Sequence, residues 1–194
     1  LIAKQEGQPL YRVLGGEYPR VRAYARTVDF RLDDDQFRTK LQRFRDMGFS
    51  SVKTKVAHPD ISWDLRRLGI AREVLGSEGD LMIDANEFWS PKQAIRKVCE
   101  IEQHYDLTWV EEPARRWDYL GLRRVKDGVR AAVCAGENLD TLGDFLPYFQ
   151  HRAADVIQVS YGMSGISCAL QIADAAFGYE LPITLGGSPG LIHA

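Results

Sequence analysis

Two lysines, Lys53 and Lys55, occupy alternate positions in Ser-Val-Lys-Thr-Lys-Val. In a strand, the two-residue period turns both ammonium groups to the same side. Like charges that close disfavour each other's protonation and lower at least one pKa toward neutrality, which makes a lysine a usable base. Further along, Asp84 ends an apolar run in Ile-Asp-Ala-Asn, Glu111 and Glu112 end another in Trp-Val-Glu-Glu-Pro, and Glu137 follows a third in Ala-Gly-Glu-Asn. Carboxylates gathered at one rim repel one another unless a cation neutralises them, and an all-oxygen set suits Mg²⁺ with waters or substrate oxygens completing its shell. Alone, a strand-end lysine pair is commonly a solvated surface feature, and a lone strand-end carboxylate is commonly a helix N-cap. Three carboxylates in successive units beside the lysine pair favour the cation.

Such residues need a scaffold that brings strand ends together. Apolar runs fall at Val21–Ala25, Ser51–Val56, Leu81–Ala85, Thr108–Val110, Ala132–Ala135, Val156–Ser160 and Pro182–Leu185, spaced by roughly the 25 to 30 residues of one strand-plus-crossover-helix unit. Amphipathic stretches lie between them. Asp34–Met47 repeats Phe37, Leu41 and Phe44 at helical spacing and stops at Gly48; Pro91–His104 opens on a first-turn proline; Ser164–Phe177 stops at Gly178. This α/β pattern fits a doubly wound sheet or most of a (β/α)₈ barrel. A doubly wound sheet would concentrate its chemistry at one switch point, often after a glycine-rich first turn, and none follows Ala25. Ionisable residues instead end strand after strand, as they do where a barrel builds its active site. The expected fold is a TIM-type (β/α)₈ barrel, incomplete here at about seven strands, with strand eight missing.

With 45% hydrophobic and 27% charged residues, the 194-residue chain can bury a core and reads as one soluble α/β domain. A net charge of −2 with dispersed basic residues gives no electrostatic case for nucleic acid or an anionic membrane, so a small-molecule partner is expected. No apolar run approaches the roughly 20 residues of a membrane span, and no signal-peptide pattern is present, so a cytoplasmic location is expected. Cys99, Cys134 and Cys168 are odd in number, widely spaced and in apolar surroundings, which suits reduced packing residues. The chain opens at Leu1 on a helical pattern and stops at Ala194 inside what reads as a new helix, so a fragment is expected.

Lys-x-Lys, Asp-x-Asn, Glu-Glu-Pro and Gly-Glu-Asn, in this order on successive strands, resemble the mandelate racemase/muconate lactonizing branch of the enolase superfamily. Residues 7–16, Gly-Gln-Pro-Leu-Tyr-Arg-Val-Leu-Gly-Gly, are similar to the helix that leads into that family's barrel, and Asp84 to Trp89 is similar to its Asp-Ala-Asn-x-x-Trp segment. The resemblance spans essentially the whole chain. It implies that residues 1–20 are a linker helix from an N-terminal α+β capping domain and that 21–194 are barrel strands one to seven. It further implies Mg²⁺ bound by Asp84, Glu111 and Glu137, with Glu111 rather than Glu112 as the ligand from the fourth strand. Lys55 would be the base, Lys53 would orient it and depress its pKa, and Asn86 and Asn138 would steady the carboxylates. Superfamily sites use a Lys or His base with Mg²⁺ stabilising an ene-diolate, and the resemblance implies that mechanism here.

The chain also departs from the family. Where many members carry a second base on the sixth strand, this sequence has Ser160, and Ile-Thr-Leu-Gly-Gly-Ser-Pro on the seventh lacks the histidine of the Asp/His members. His193 comes too late and reads as packing. Racemisation needs an acid/base group on each face, whereas a syn dehydration can use one lysine for both proton transfers. The expected reaction is therefore dehydration of an acid sugar to a 2-keto-3-deoxy acid by a homo-oligomeric enzyme. The alternatives are a racemase, epimerase or cycloisomerase, and, from another class, a non-catalytic binding barrel. Ser160, Tyr161 and His58 are the candidates for the remaining polar contacts to substrate.

Overall fold

The computed structural model describes residues 1–27 and 30–186. Two short helices, α1 (Ile2–Gln5) and α2 (Leu10–Val13), bury none of their residues. Then follow β1 (Ala25–Arg26), α3 (Asp34–Asp46), β2 (Ser51–Lys55), α4 (Ile61–Leu75), β3 (Asp80–Asp84), α5 (Pro91–Ile101), β4 (Trp109–Glu111), α6 (Tyr119–Gly128), β5 (Ala132–Ala135), α7 (Leu142–His151), β6 (Val156–Ser160), α8 (Tyr161–Gly178) and β7 (Ile183–Gly186). The seven strands are all parallel and lie in sequential order in one curled sheet, the arrangement of an incomplete (β/α)₈ barrel. The part of the seventh-strand motif beyond Gly186, and His193, lie outside the described residues.

Local signals start the helices where the fold needs them. Asp33 accepts the Gln36 N–H at 2.8 Å while the Gln36 side chain accepts the Asp33 N–H at 3.1 Å, a reciprocal cap on α3 worth about 1 kcal/mol. Ser90 and Gln93 make the same cap on α5, with Pro91 in the first turn. Phe37 and Leu41 of α3, and Ala94, Val98 and Ile101 of α5, are four or three residues apart and fully buried. They pack in one core with Val52, Leu81, Ile83, Val110, Val133, Ile157 and Val159, which line the helix-facing side of the strands. The residues between these, Lys53, Lys55, Asp84, Glu111, Cys134 and Ser160 among them, fall on the opposite side of the sheet by strand alternation.

Several elements differ from their sequence-based bounds, among them the first and fourth strands and helix α8. The first strand pairs only through Ala25 and Arg26, not Val21–Ala25; Val21 is exposed, Arg22 reaches out to Asp80, and Tyr24 turns its ring edge-on to Trp109. The fourth strand is shifted by one residue to end on Glu111. Helix α8 begins at Tyr161, earlier than Ser164, but is broken at Gly165, whose φ of 71° and ψ of 163° no helix contains. Among the described residues, no helix is long and apolar enough to cross a membrane.

Candidate metal centre and its lysines

Parallel register brings the chemistry together. Lys55 pairs with Asp84, Asp84 with Glu111, and Glu111 with Cys134, so the last residues of β2, β3 and β4 stand level at the C-terminal rim. Glu137 joins them from the loop after β5. It follows Gly136, whose φ of 129° excludes other residues and whose missing Cβ would stand 2.5 Å from the Gln158 carbonyl oxygen. Asp84, Glu111 and Glu137 each present one oxygen, all within 4.8 Å of one another. A hard cation holds its oxygens at about 2.0 to 2.5 Å, which sets opposite ligands about 4 to 5 Å apart. The triad has that spacing. Glu111 Oε2 is buried without a hydrogen-bond partner among the described residues, as an oxygen reserved for a cation would be.

Both lysines lie on the triad side, as the alternation requires. Lys53 Nζ donates to Glu111 Oε1 and lies 3.5 Å from Asp84 Oδ2. Lys55 Nζ donates to Asp84 Oδ2 and to Asn86 Oδ1, each at 2.5 Å. The depression of pKa expected of at least one lysine does not fall on Lys53. Burial opposes its charge, but the carboxylates of Glu111 and Asp84 outweigh burial and raise its pKa above the ordinary lysine range. Conversely, burial pushes the Glu111 carboxyl up to about 7 against the attraction of Lys53, with Asp84 and Glu137 adding to the rise. Converging carboxylates each disfavour the other's ionisation.

The neighbouring residues divide between this centre and other partners. Glu112 is buried with φ 43°, and burial raises its carboxyl to about 8 despite the 2.7 Å bond donated by Asn138 Nδ2. Asn138 thus bonds Glu112, not a triad carboxylate. Asn86 holds Asp84 through its backbone N–H, 2.9 Å from Oδ1, and offers its side chain to Lys55. Ser160 is buried at the end of β6 and Tyr161 opens α8. His58, in the loop after β2, stacks on Trp63 at 4.8 Å, accepts the Asp60 N–H at Nδ1 and has its backbone N–H held by buried Asp64. Its ring is thereby ordered by its own loop. The three cysteines are free, with Cys134 fully buried beside Glu111 and its thiol pushed up by burial. Sequence reasoning did not anticipate Glu87 and Arg116, which form an ion pair between the loops after β3 and β4, with Nε 2.6 Å from Oε1 of the buried Glu87 carboxylate. Glu87 stands three residues after Asp84, but nothing in the sequence pairs it with an arginine 29 residues away.

Residues 36–194 match the enolase C-terminal domain-like family. The chain belongs to that family. It is 38% identical over 137 residues to a 3,6-anhydro-α-L-galactonate cycloisomerase of Streptomyces coelicolor, covering 71% of this chain and 38% of the relative. It is 32% identical over 189 residues to an L-Ala-D/L-Glu epimerase of Clostridium acetobutylicum, covering 96% and 52%. The crystal structure of an L-talarate dehydratase from a Polaromonas species, complexed with Mg and L-glucarate, superposes with a TM-score of 0.90 at 29% identity, over 97% of this chain and 53% of that one. The chain therefore spans about half the length or less of these relatives. All are enzymes of one superfamily, whose reactions include dehydration, epimerisation and cycloisomerisation.

Proposed function

We propose that the complete protein is a Mg²⁺-dependent acid sugar dehydratase, with Asp84, Glu111 and Glu137 holding the metal and Lys55 acting as the base. The observation that carries this reading is the convergence of three carboxylate oxygens within 4.8 Å beside a rim lysine. Mg²⁺ bound there would neutralise the carboxylates and offset the negative charge that gathers on a substrate carboxylate as its α C–H bond breaks. Lys55, partly exposed and held by Asp84 and Asn86, is placed to take that proton in its neutral form. Lys53 is nearly enclosed between Glu111, Asp84 and Tyr24, so its part is to hold charge and orient the carboxylates. The electron pair left by the α-proton forms the Cα–Cβ double bond as the β C–O bond breaks. The proton on Lys55 leaves with the hydroxyl as water, and the enol tautomerises to a 2-keto-3-deoxy acid. Ser160, Tyr161 and His58 remain candidates for contacts to substrate hydroxyls, and residues 1–20 for the link to a capping domain.

Kinship with an epimerase and a cycloisomerase supports a second reading, in which the same half-site runs an isomerisation. Ser160 at the end of β6 favours dehydration, because a second-face base is missing from that position. Incubating the full-length protein and Mg²⁺ with a library of acid sugars in D₂O separates the readings. Dehydration yields a keto acid; isomerisation brings deuterium into the α-position without loss of water. Tight Mg²⁺ binding with neither outcome for any member would leave a binding barrel.

A further inference from the structure

Asp84 and Glu111 are the last residues of β3 and β4, so the sheet ladder sets their positions. Glu137 lacks that support, because β5 ends at Ala135 and Gly136 turns the chain out of the sheet. A ligand borne by a loop converges with two borne by strands only if something else fixes the loop. Arg116, in the loop after β4, is placed to do so. Its Nε and Nη2 donate to Oε1 and Oε2 of Glu87 at 2.6 and 3.1 Å, and its own N–H donates to Glu87 Oε1 at 3.2 Å. Its Nη1 donates to the backbone carbonyl of Asn138, next to Glu137, at 3.3 Å. Tyr148, buried on α7, donates its hydroxyl to the Arg116 carbonyl at 3.0 Å and so anchors the arginine's backbone.

The circuit closes on itself. Asn138 Nδ2 donates to Glu112 Oε1 at 2.7 Å, and the Glu112 carbonyl accepts the Glu87 N–H at 2.7 Å. Glu87, Glu112 and Asn138 thus tie the three ligand-bearing segments to one another, and Arg116 spans the first and third. Glu87 and Glu112 both sit at left-handed φ, 61° and 43°, a conformation that is costly for a non-glycine residue and persists where its surroundings over-determine it. The bidentate fork of a guanidinium on a buried carboxylate does that, and a lysine cannot reproduce its geometry.

We infer that Arg116 is a positioning residue for the metal centre, acting through Glu87 and Asn138 to hold Glu137 against Asp84 and Glu111. The inference rests on the triad being a cation site. Outer partners of metal ligands typically contribute about 10- to 100-fold to affinity. Titrating Mn²⁺ into metal-free full-length protein, with free Mn²⁺ followed by electron paramagnetic resonance, tests it in Arg116→Lys. The expected result is a dissociation constant weakened by about 10-fold or more, with the metal-free unfolding midpoint little changed. An unaltered dissociation constant, whether or not the midpoint falls, overturns the positioning role. If Arg116→Lys does not fold, Glu87→Gln decides: it keeps the shape but loses the charge, and affinity within twofold of wild type overturns the inference. Wild-type protein that binds no Mn²⁺ would instead overturn the cation site itself.

Discussion

Replacing Lys53 with Met should destabilise the metal-free protein in a way that grows with pH. Glu111 is fully buried, and Lys53 is the donor to its Oε1. Breaking a buried ion pair by deleting one partner costs about 3 to 5 kcal/mol if the remaining charge persists. A buried carboxylate has an alternative, which is to take up a proton. In wild type the Glu111 carboxyl is already raised to about 7, mainly by burial, and loss of the Lys53 attraction raises it further. A folded-state carboxyl pKa above its unfolded value means that the native state holds a proton the unfolded chain has released, so stability falls as pH rises between the two values. Wild type stops losing stability on this account above about pH 7, whereas the variant continues to lose about 1.4 kcal/mol per pH unit. The difference between them should grow by about 2 kcal/mol from pH 5.5 to pH 8.5. Urea denaturation in EDTA at several pH values measures it. A difference that is constant with pH, or larger at pH 5.5, would refute the claim that Lys53 holds Glu111 ionised.

Two further outcomes follow from the same cluster. Asp84→Asn removes one of three carboxylates facing two ammonium groups; losing a direct ligand should lower Mg²⁺ affinity by calorimetry beyond the about 10- to 100-fold typical of outer partners, and a loss under tenfold would remove Asp84 from the site. Because β6 ends on a serine, only one α-epimer of an acid sugar should exchange its α-hydrogen or lose water; nuclear magnetic resonance in D₂O showing rapid interconversion of epimers would reveal a competent base on the second face.

What the sequence made legible followed from local geometry. The alternation of Lys53 and Lys55, and the placement of Asp84 and Glu111 at strand ends, depend only on strand period and parallel register, both written in short stretches of chain. The barrel order followed from repeated strand and helix units for the same reason. Effects that need tertiary neighbours were not legible. The lysine pair suggested a lowered pKa for at least one member without showing that the carboxylates of Glu111 and Asp84, 58 and 31 residues away, would raise that of Lys53. Asn138 looked like a partner of its adjacent ligand, yet the fold aims it at Glu112. The Glu87–Arg116 pair joins two loops whose residues carry no periodic signal. The break at Gly165 sits within an apolar stretch where a continuous helix and two helical pieces have the same pattern.

The central claim is that Lys55, beside a cation held by Asp84, Glu111 and Glu137, removes an α-proton from a carboxylate substrate. Its most direct test is α-hydrogen exchange into D₂O by full-length wild type and Lys55→Ala, each saturated with Mg²⁺ and given the acid sugars that wild type accepts. Wild type should exchange or dehydrate its substrate, and Lys55→Ala should do neither while still binding Mg²⁺. Exchange at the wild-type rate in Lys55→Ala, with the metal bound, would contradict the account.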